Sequence, residues 1–157
     1  RGYSVMLKYW NNDKATAEAI DEVGWMHTGD LATMDDEGYI QIVGRIKDMV
    51  IRGGENVYPK EIEEFLYAHP AISEVQVTGV PDKKYGEELI AWVKLNSTAG
   101  EITGEDLREY CKGKITHFKI PRYFKFVDEF PMTVTGKIQK FKIREISIKE
   151  LGLEDQK

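Results

Sequence analysis

The sequence contains very little of what disulfides and metal sites are built from. Cys111 is the only cysteine in 157 residues, so the chain forms no internal disulfide and no multi-cysteine metal site. The three histidines, His27, His69 and His117, share no metal-ligand spacing. We therefore predict no metal site, and the low cysteine content is typical of a reducing compartment.

Long apolar runs are also missing. Runs such as residues 89–93 (LIAWV) are far shorter than the roughly 20 residues needed to cross a bilayer. No basic-then-apolar signal sequence opens the chain. We predict no integral membrane segment. Because the sequence starts at Arg1 and not at Met, we interpret it as a fragment or a processed product.

Charge is unevenly distributed along the chain. Residues 112–144 contain nine Lys or Arg and two acids, a net +7 in a chain of net −5, so the remainder carries −12. This pattern indicates a local anionic ligand and argues against general nucleic-acid binding. A solvated basic face is the simpler alternative.

Hydrophobic periodicity and turn residues predict an α+β fold of small mixed or antiparallel sheets flanked by helices, with a leading hairpin. The composition, 41% hydrophobic and 31% charged, suits a globular core. The Gly53-Gly54 pair allows positive φ in a tight turn, and Pro59 marks a helix start. The predicted elements are a helix over 14–20, a hairpin of 31–34 and 39–43, a linker over 44–48, a hairpin of 49–51 and 57–58, a helix from Pro59, strands over 72–80, 89–95 and 123–127, a helix starting at 103–106, and a final helix over 140–151.

Three segments are rich in residues that serve chemistry. Residues 25–31 (WMHTGDL) fix a carboxylate, Asp30, after a Thr-Gly turn, where it can accept hydrogen bonds from sugar hydroxyls or cap backbone amides. In residues 44–48 (GRIKD), Arg45 is suited to contact a phosphate or a ribose, and in residues 52–59 (RGGENVYP) the glycine pair lets a ligand approach the backbone. The alternative for these two segments is a hairpin with charged flanks. Residues 131–138 (PMTVTGKI) hold Lys137 on a glycine-hinged loop, where it can neutralise a developing oxyanion or simply be solvated.

Together these segments resemble the motifs of the adenylate-forming superfamily, which includes acyl-CoA synthetases, peptide-synthetase adenylation domains and luciferases. Residues 25–31 are similar to its Thr-Gly-Asp-Leu motif, 44–48 to the motif that joins its large and small domains, and 131–138 to its Pro-x-Thr-x-Ser-Gly-Lys motif, with Thr135 in place of serine. The likeness covers residues 2–145. Residues 53–63 (GGENVYPKEIE) and 111–121 (CKGKITHFKIP) are most similar to medium-chain fatty acyl-CoA synthetases.

The resemblance implies a function and a domain organisation. It implies a ligase that uses ATP with Mg²⁺ to convert a fatty acid to acyl-AMP and then transfers the acyl group to CoA. Residues 1–46 would end a large N-terminal domain, residue 47 would be a hinge, 48–145 a small C-terminal domain and 146–157 a C-terminal helix or tail. The rest of the large domain, with the phosphate loop and acyl pocket, would precede this chain, so the fragment alone is expected to be inactive.

The resemblance also assigns roles by motif. Asp30 would hold the ribose hydroxyls, Arg45 the ribose or phosphate region, Lys47 the hinge, and Lys137 would bridge the carboxylate and the α-phosphate. The pantetheine tunnel of the second step would be lined by Gly53, Gly54 and Glu55, with Asn56 as a further second-step contact. Residues 131–137 also match the Pro-x-x-x-x-Gly-Lys pattern that lysine acetyltransferases recognise in related bacterial enzymes, and Lys137 is the lysine of that pattern. The implied location is the cytoplasm, or the mitochondrial matrix in a eukaryote.

Two other functions remain open. One is an adenylation domain that loads a carrier protein, and the other is a stand-alone CoA-binding or anion-binding module that uses the basic stretch. Acyl-chain length is not encoded in these residues.

Overall fold

The chain divides into two compact units between Lys47 and Asp48. In this computed structural model, which describes residues 1–156, the residues up to Lys47 form one compact unit and those from Asp48 onward form another. Both combine helix with antiparallel strands, which confirms the α+β class. No helix among residues 1–156 is long and apolar enough to cross a bilayer.

The first unit consists of one short helix and one hairpin. Helix α1 spans Asp13–Ala19, and the side chain of Asn12 caps it by accepting the N–H of Ala15 at 3.0 Å. Strands β1 (Asp30–Met34) and β2 (Ile40–Arg45) pair antiparallel. The helix and the hairpin predicted for this region are therefore confirmed.

The predicted linker over residues 44–48 is wrong for its first two residues. Gly44 lies opposite Leu31, and Arg45 lies opposite Asp30, so both belong to β2. Only one turn of 3-10 helix, Ile46–Asp48, follows the strand. Pairing with β1 explains the difference, because backbone groups that can complete a ladder are satisfied by it.

The second unit is built around a five-stranded sheet. Its strand order is β4-β3-β6-β5, and β7 pairs parallel with β6. Its elements are β3 (Val50–Arg52), β4 (Glu55–Val57), α2 (Pro59–Tyr67), β5 (Ile72–Asp82), β6 (Gly86–Leu95), α3 (Gly104–Cys111), a 3-10 turn (His117–Lys119), β7 (Tyr123–Phe126) and α4 (Lys140–Glu150). The predicted second hairpin is confirmed with a two-residue turn, shorter than expected.

Strand β6 is buried on both faces, which explains its continuous apolar run. Alternate side chains along a strand point to opposite faces. One hydrophobic cluster contains Leu89, Ala91 and Val93, and the other contains Ile90 and Trp92. Helices α2 and α3 cover the first cluster and α4 covers the second, through Ile62, Leu66, Leu107, Cys111 and Ile143.

The helix ends follow the predicted signals. Pro59 is the first residue of α2, and Thr103 caps α3 in a reciprocal capping box with Asp106. Helix α4 continues past the boundary drawn at residue 145, and Leu153 beyond it packs in the second cluster. The residues after 145 therefore contribute to the core.

Candidate functional site

Asp30 and Arg45 lie side by side in the first unit. They are directly opposite each other at the open end of the hairpin, and the Nε atom of Arg45 donates to Oδ1 of Asp30 at 3.2 Å. The side chain of Arg45 is 60% exposed and that of Asp30 is 31% exposed. An exposed pair of this kind contributes little to stability, at most about 1 kcal/mol. Both groups thus remain accessible to a ligand.

The turn before β1 presents the Asp30 carboxylate. Gly29 has φ +77°, and the Thr28 hydroxyl accepts the backbone N–H of Asp30 at 3.1 Å. The alternative role for Asp30 was to cap backbone amides with its carboxylate. Among the described residues no backbone N–H donates to that carboxylate, and the capping bond of this turn is accepted by the Thr28 hydroxyl. The carboxylate of Asp30 is left to Arg45 and to solvent.

Lys47 lies in the single 3-10 turn that ends the first unit. Its side chain is exposed, and Asp48 begins the second unit. No hydrogen bond or ion pair within residues 1–156 involves the Lys47 ammonium group. The lysine is therefore a surface residue at the junction of two compact units.

The two glycines of the β3–β4 turn differ in their surroundings. Gly53 has φ +61°, and a Cβ atom there would lie 3.2 Å from the ring of Tyr85, which leaves no comfortable room for a side chain. Gly54 has φ +90°, and a Cβ atom there would meet no heavy atom within 4 Å. Packing explains glycine at 53, whereas position 54 opens onto free space.

The residues that follow the glycine pair are exposed. Glu55 lies opposite Arg52, and Asn56 lies opposite Ile51 in the hairpin. Within residues 1–156, no hydrogen bond or ion pair occupies either side chain. Both are therefore available to a ligand that reaches this turn.

Lys137 lies on a small, well-hydrogen-bonded loop. Met132 and Ile138 form an antiparallel bridge at its base. Thr133 accepts the N–H of Lys137 on its hydroxyl at 3.0 Å, and its own N–H donates to the carbonyl of Lys137 at 2.8 Å. The Thr135 hydroxyl lies 2.9 Å from that of Thr133, so threonine retains the hydroxyl that serine supplies in the family motif.

The Lys137 ammonium group is exposed, whereas most basic groups around it in sequence are paired. Six of the nine Lys and Arg residues in 112–144 form ion pairs with carboxylates from outside that stretch. These pairs are Lys112–Glu109, Lys119–Glu61, Arg122–Asp82, Lys125–Glu150, Lys140–Glu63 and Arg144–Glu87. Intramolecular carboxylates therefore neutralise most of the positive charge of this stretch, and the local anionic ligand stays a prediction.

Three basic residues of this stretch have no carboxylate partner among residues 1–156. Lys114 lies over the ring of Tyr110, with its Nζ atom 3.7 Å from the ring centroid. Lys137 and Lys142 are exposed. Lys142 lies on α4, and Lys114 and Lys137 lie in turns, of which the Lys137 turn is closed at its base by the Met132–Ile138 bridge.

The sequence patterns did not identify one buried ion pair, Arg52–Glu88. Two nitrogens of Arg52 donate to the two carboxylate oxygens of Glu88 at 2.6 and 2.8 Å. Glu88 is 1% exposed, and its hydrogen bonds raise the pKa of Arg52. In the sequence, Glu88 directly precedes the apolar run of residues 89–93. A carboxylate next to such a run was the signal for a buried charge, because strand β6 buries this position.

The thiol of Cys111 is buried. Burial raises the pKa of the Cys111 thiol to about 11, so the thiolate is scarce at neutral pH. Among residues 1–156, no group of three or more His, Cys, Asp and Glu side chains is arranged to hold a metal ion.

The candidate residues thus form separate groups. Asp30, Arg45 and Lys47 belong to the first unit, and the glycine turn and Lys137 belong to the second. Within residues 1–156, no hydrogen bond or ion pair joins the Lys137 loop to the glycine turn.

Comparison with known proteins identifies relatives of the chain. Over 153 residues, 98% of the chain, it is 57% identical to YngI of Bacillus subtilis (strain 168), whose name describes an acyl-CoA synthetase. Over the same share of the chain it is 54% identical to a mitochondrial medium-chain acyl-CoA ligase of Macaca fascicularis. The chain spans only 28% and 25% of these two proteins, about a quarter of their length.

A solved structure and a family model agree with this similarity. The ATP-bound crystal structure of MatB from Rhodopseudomonas palustris matches 96% of the chain and 30% of its own length, with a TM-score of 0.86 and 38% identity. The model of the AMP-binding enzyme C-terminal domain matches residues 61–137. Those residues belong to the AMP-binding enzyme C-terminal domain family, and the chain that carries them is a relative of the acyl-CoA synthetases among the adenylate-forming enzymes.

Proposed function

We propose that the chain is the C-terminal part of an ATP-dependent fatty acyl-CoA synthetase. In the first step a fatty carboxylate attacks the α-phosphate of ATP, which enters with Mg²⁺, and acyl-AMP and pyrophosphate form. In the second step the thiol of CoA attacks the acyl carbonyl and expels AMP. The similarity to acyl-CoA ligases over 98% of the chain supports this assignment.

The first step requires positive charge at the α-phosphate, where two anions approach each other. Lys137 supplies it as an exposed ammonium on an ordered loop. A preorganised cation of this kind stabilises the charge that develops in the transition state. Asp30 accepts hydrogen bonds from the ribose hydroxyls, and Arg45, held beside it at 3.2 Å, contacts the ribose or a phosphate.

The second step requires a narrow path for the pantetheine arm. Gly54 fits that requirement because a side chain at this position would project into free space. Glu55 lines the same turn, Asn56 makes a further contact, and Gly53 keeps the backbone tight against Tyr85.

Residues in two compact units take part, so we assign different steps to different arrangements of those units. Residues 1–46 belong to the large domain, Lys47 is the hinge, and the small domain begins at Asp48. Rotation about Lys47 brings Lys137 to the α-phosphate for adenylation and the glycine turn to the same place for thioester formation. The change of unit after Lys47 supports this location of the hinge.

The observation that carries the proposal is the availability of Lys137. Six of the nine basic groups in residues 112–144 are engaged by carboxylates, while Lys137 faces solvent from a closed turn. A stand-alone anion-binding module would use the stretch as a whole, and its intramolecular pairing argues against that function.

The experiment that tests the proposal uses the full-length enzyme and a panel of fatty acids. We expect acid-dependent exchange of pyrophosphate into ATP, and acyl-CoA only when CoA is added. The 157-residue chain alone should catalyse neither reaction. Transfer to a carrier protein but not to CoA would instead identify a carrier-loading enzyme, and tight binding of CoA by the 157-residue chain in calorimetry would identify a binding module.

We also propose that acetylation of Lys137 regulates the enzyme. The lysine is exposed, and acetylation would remove the charge that adenylation needs. Incubation with an acetyltransferase and acetyl-CoA, followed by mass spectrometry, should find acetyl-Lys137 together with loss of acyl-AMP formation. Modification of other lysines with Lys137 untouched would contradict the proposal. The location, cytoplasm or mitochondrial matrix, is compatible with a relative named as mitochondrial.

A further inference from the structure

The β3–β4 hairpin, which carries the glycine turn, has little backbone attachment to the rest of the sheet. Its only ladder position with β6 is Arg52 opposite Gly86, whereas β5 pairs with β6 from Ile72 to Asp82. A two-stranded hairpin is at best marginally stable without further packing. Val50 and Val57 of the hairpin are buried in the first hydrophobic cluster, and polar contacts add to this attachment.

Among the polar contacts, Arg52 of β3 and Glu88 of β6 form a largely buried ion pair. The guanidinium and carboxylate groups meet through two hydrogen bonds of 2.6 and 2.8 Å, and the Arg52 side chain is only 14% exposed. A bidentate pair fixes the direction of both groups as well as their separation. Arg52 is adjacent to Gly53, so its orientation fixes the start of the turn.

Tyr85 and Glu87 make further contacts with the hairpin. The Arg52 guanidinium lies over the Tyr85 ring, 4.4 Å from its centroid, and the Tyr85 carbonyl accepts the N–H of Gly53 at 2.8 Å. Glu87 accepts the N–H of Ile51 at 3.0 Å and also pairs with Arg144 of α4 at 2.8 Å. Tyr85, Glu87 and Glu88 thus contact the three consecutive hairpin residues 51–53.

We propose that Arg52 and Glu88 are positioning residues for the thioester-forming step. They hold the Gly53-Gly54 turn rigid against the sheet, so that rotation of the small domain delivers the turn to the thiol path in one defined orientation. This inference rests on the proposed function and assigns a role to residues that do not contact substrate. Buried ion pairs add little net stability compared with apolar side chains of similar size, so orientation is the contribution that distinguishes this pair.

The test separates the two half-reactions in the full-length enzyme. Arg52→Met combined with Glu88→Leu removes both buried charges together, which avoids leaving one charge unpaired. We expect acyl-AMP formation to be unchanged and acyl transfer from preformed acyl-AMP to CoA to fall by about tenfold to a hundredfold, because small misplacements carry costs of this size. Arg52→Lys, which keeps the charge and loses the two-pronged geometry, should give an intermediate rate.

The matched control is Ser147→Ala. Ser147 is buried in the same unit and accepts the indole N–H of Trp92 at 2.9 Å, but it lies on α4 and not in the hairpin attachment. It should lower thermal stability and leave the ratio of the two half-reactions unchanged. Hydrogen exchange should show faster exchange at residues 53–56 in the double variant and not in the control.

Each result decides between the hypotheses. Equal loss of both half-reactions in the double variant, undiminished transfer, or the same selective loss in Ser147→Ala would overturn the positioning role. A wild-type enzyme that forms no acyl-AMP or no acyl-CoA would overturn the proposed function, and this inference with it, before any variant is made.

Discussion

At the residue scale, Lys137 is distinguished because its ammonium group has no ion-pair partner among residues 1–156. The lysines on either side of it in the basic stretch, Lys125 and Lys140, are bound to Glu150 and Glu63. A cation that is already paired is a poorer partner for substrate, because the existing pair must first be broken. Lys137 faces solvent on an ordered loop, a suitable state for a group that engages different surroundings in successive steps.

The first prediction concerns the charge of this lysine. Lys137→Ala in the full-length enzyme should reduce acyl-AMP formation on the order of 10²–10³-fold or more, as for other preorganised charge stabilisers. Transfer from preformed acyl-AMP to CoA should survive. Pyrophosphate exchange and single-turnover thioester formation measure the two steps separately.

Lys142→Ala is the matched control, because it removes an exposed lysine nearby on α4. It should leave both steps intact. Equal loss of the two steps in Lys137→Ala would remove the assigned role.

A second prediction concerns the open space at Gly54. Gly54→Leu should spare acyl-AMP formation and block CoA transfer, because the added side chain would fill the thiol path. Gly54→Ala introduces the same strain at φ +90° with little bulk, so it separates backbone strain from obstruction. A folded Gly54→Leu enzyme with normal thioester formation would refute the tunnel role.

At the element scale, the N-terminal end of α3 shows how local sequence stabilises the second unit. The Thr103 hydroxyl accepts the N–H of Asp106, and Asp106 accepts the N–H of Thr103 at 2.8 Å. The Thr103 hydroxyl also donates to the Asp106 carboxylate at 2.7 Å, and this bond, together with the one from the Thr103 N–H, lowers the pKa of Asp106. The helix in turn brings Leu107 and Cys111 into the first core cluster.

The third prediction follows from this capping box. Thr103→Ala should lower the thermal midpoint of the second unit by about 2–4 °C at neutral pH, because the hydroxyl that caps the helix and donates to the Asp106 carboxylate is lost. Asp106 has a lowered pKa in the folded state, so its contribution is present above the ordinary aspartate pKa and is lost as the pH falls through the folded value. The difference between wild type and variant, measured by calorimetry, should therefore shrink in strong acid. A difference independent of pH would contradict the part assigned to Asp106.

At the scale of the whole molecule, the proposed reaction depends on two units joined at Lys47. Asp30 and Arg45 belong to the first unit, and the residues assigned to the second step belong to the other. Such a division suits a cycle in which one unit presents two different surfaces in turn. In the proposed cycle, a single backbone change at Lys47 would affect both steps, although the two steps use different side chains.

The fourth prediction tests the hinge. Lys47→Pro restricts φ and removes a backbone donor, so it should favour one rotational state and change the two half-reaction rates by different factors. Lys47→Ala keeps the backbone free and serves as the control for loss of the charge. Identical changes in both half-reactions, or a Lys47→Ala enzyme that matches Lys47→Pro, would argue against a hinge at this residue.

Much of the fold could be predicted from local patterns in the sequence. Pro59 and Thr103 mark helix starts because their effects act within one turn of backbone. The Gly53-Gly54 turn could be predicted because positive φ at both positions strongly favours glycine. The roles of Lys137, Asp30 and Arg45 came from motif order and spacing, and they remain predictions for the experiments above.

The sequence by itself determined the element types, the relationship to adenylate-forming enzymes and the candidate residues, because turn chemistry and motifs act over short stretches. Only the tertiary structure decided which charges are free and which are paired. The carboxylates of Glu61, Asp82 and Glu87 are far in sequence from the cations that they neutralise. The Arg52–Glu88 pair spans 36 positions and exists because one ladder contact brings β3 to β6. Long-range pairing depends on how strands and helices pack, and no local pattern records it.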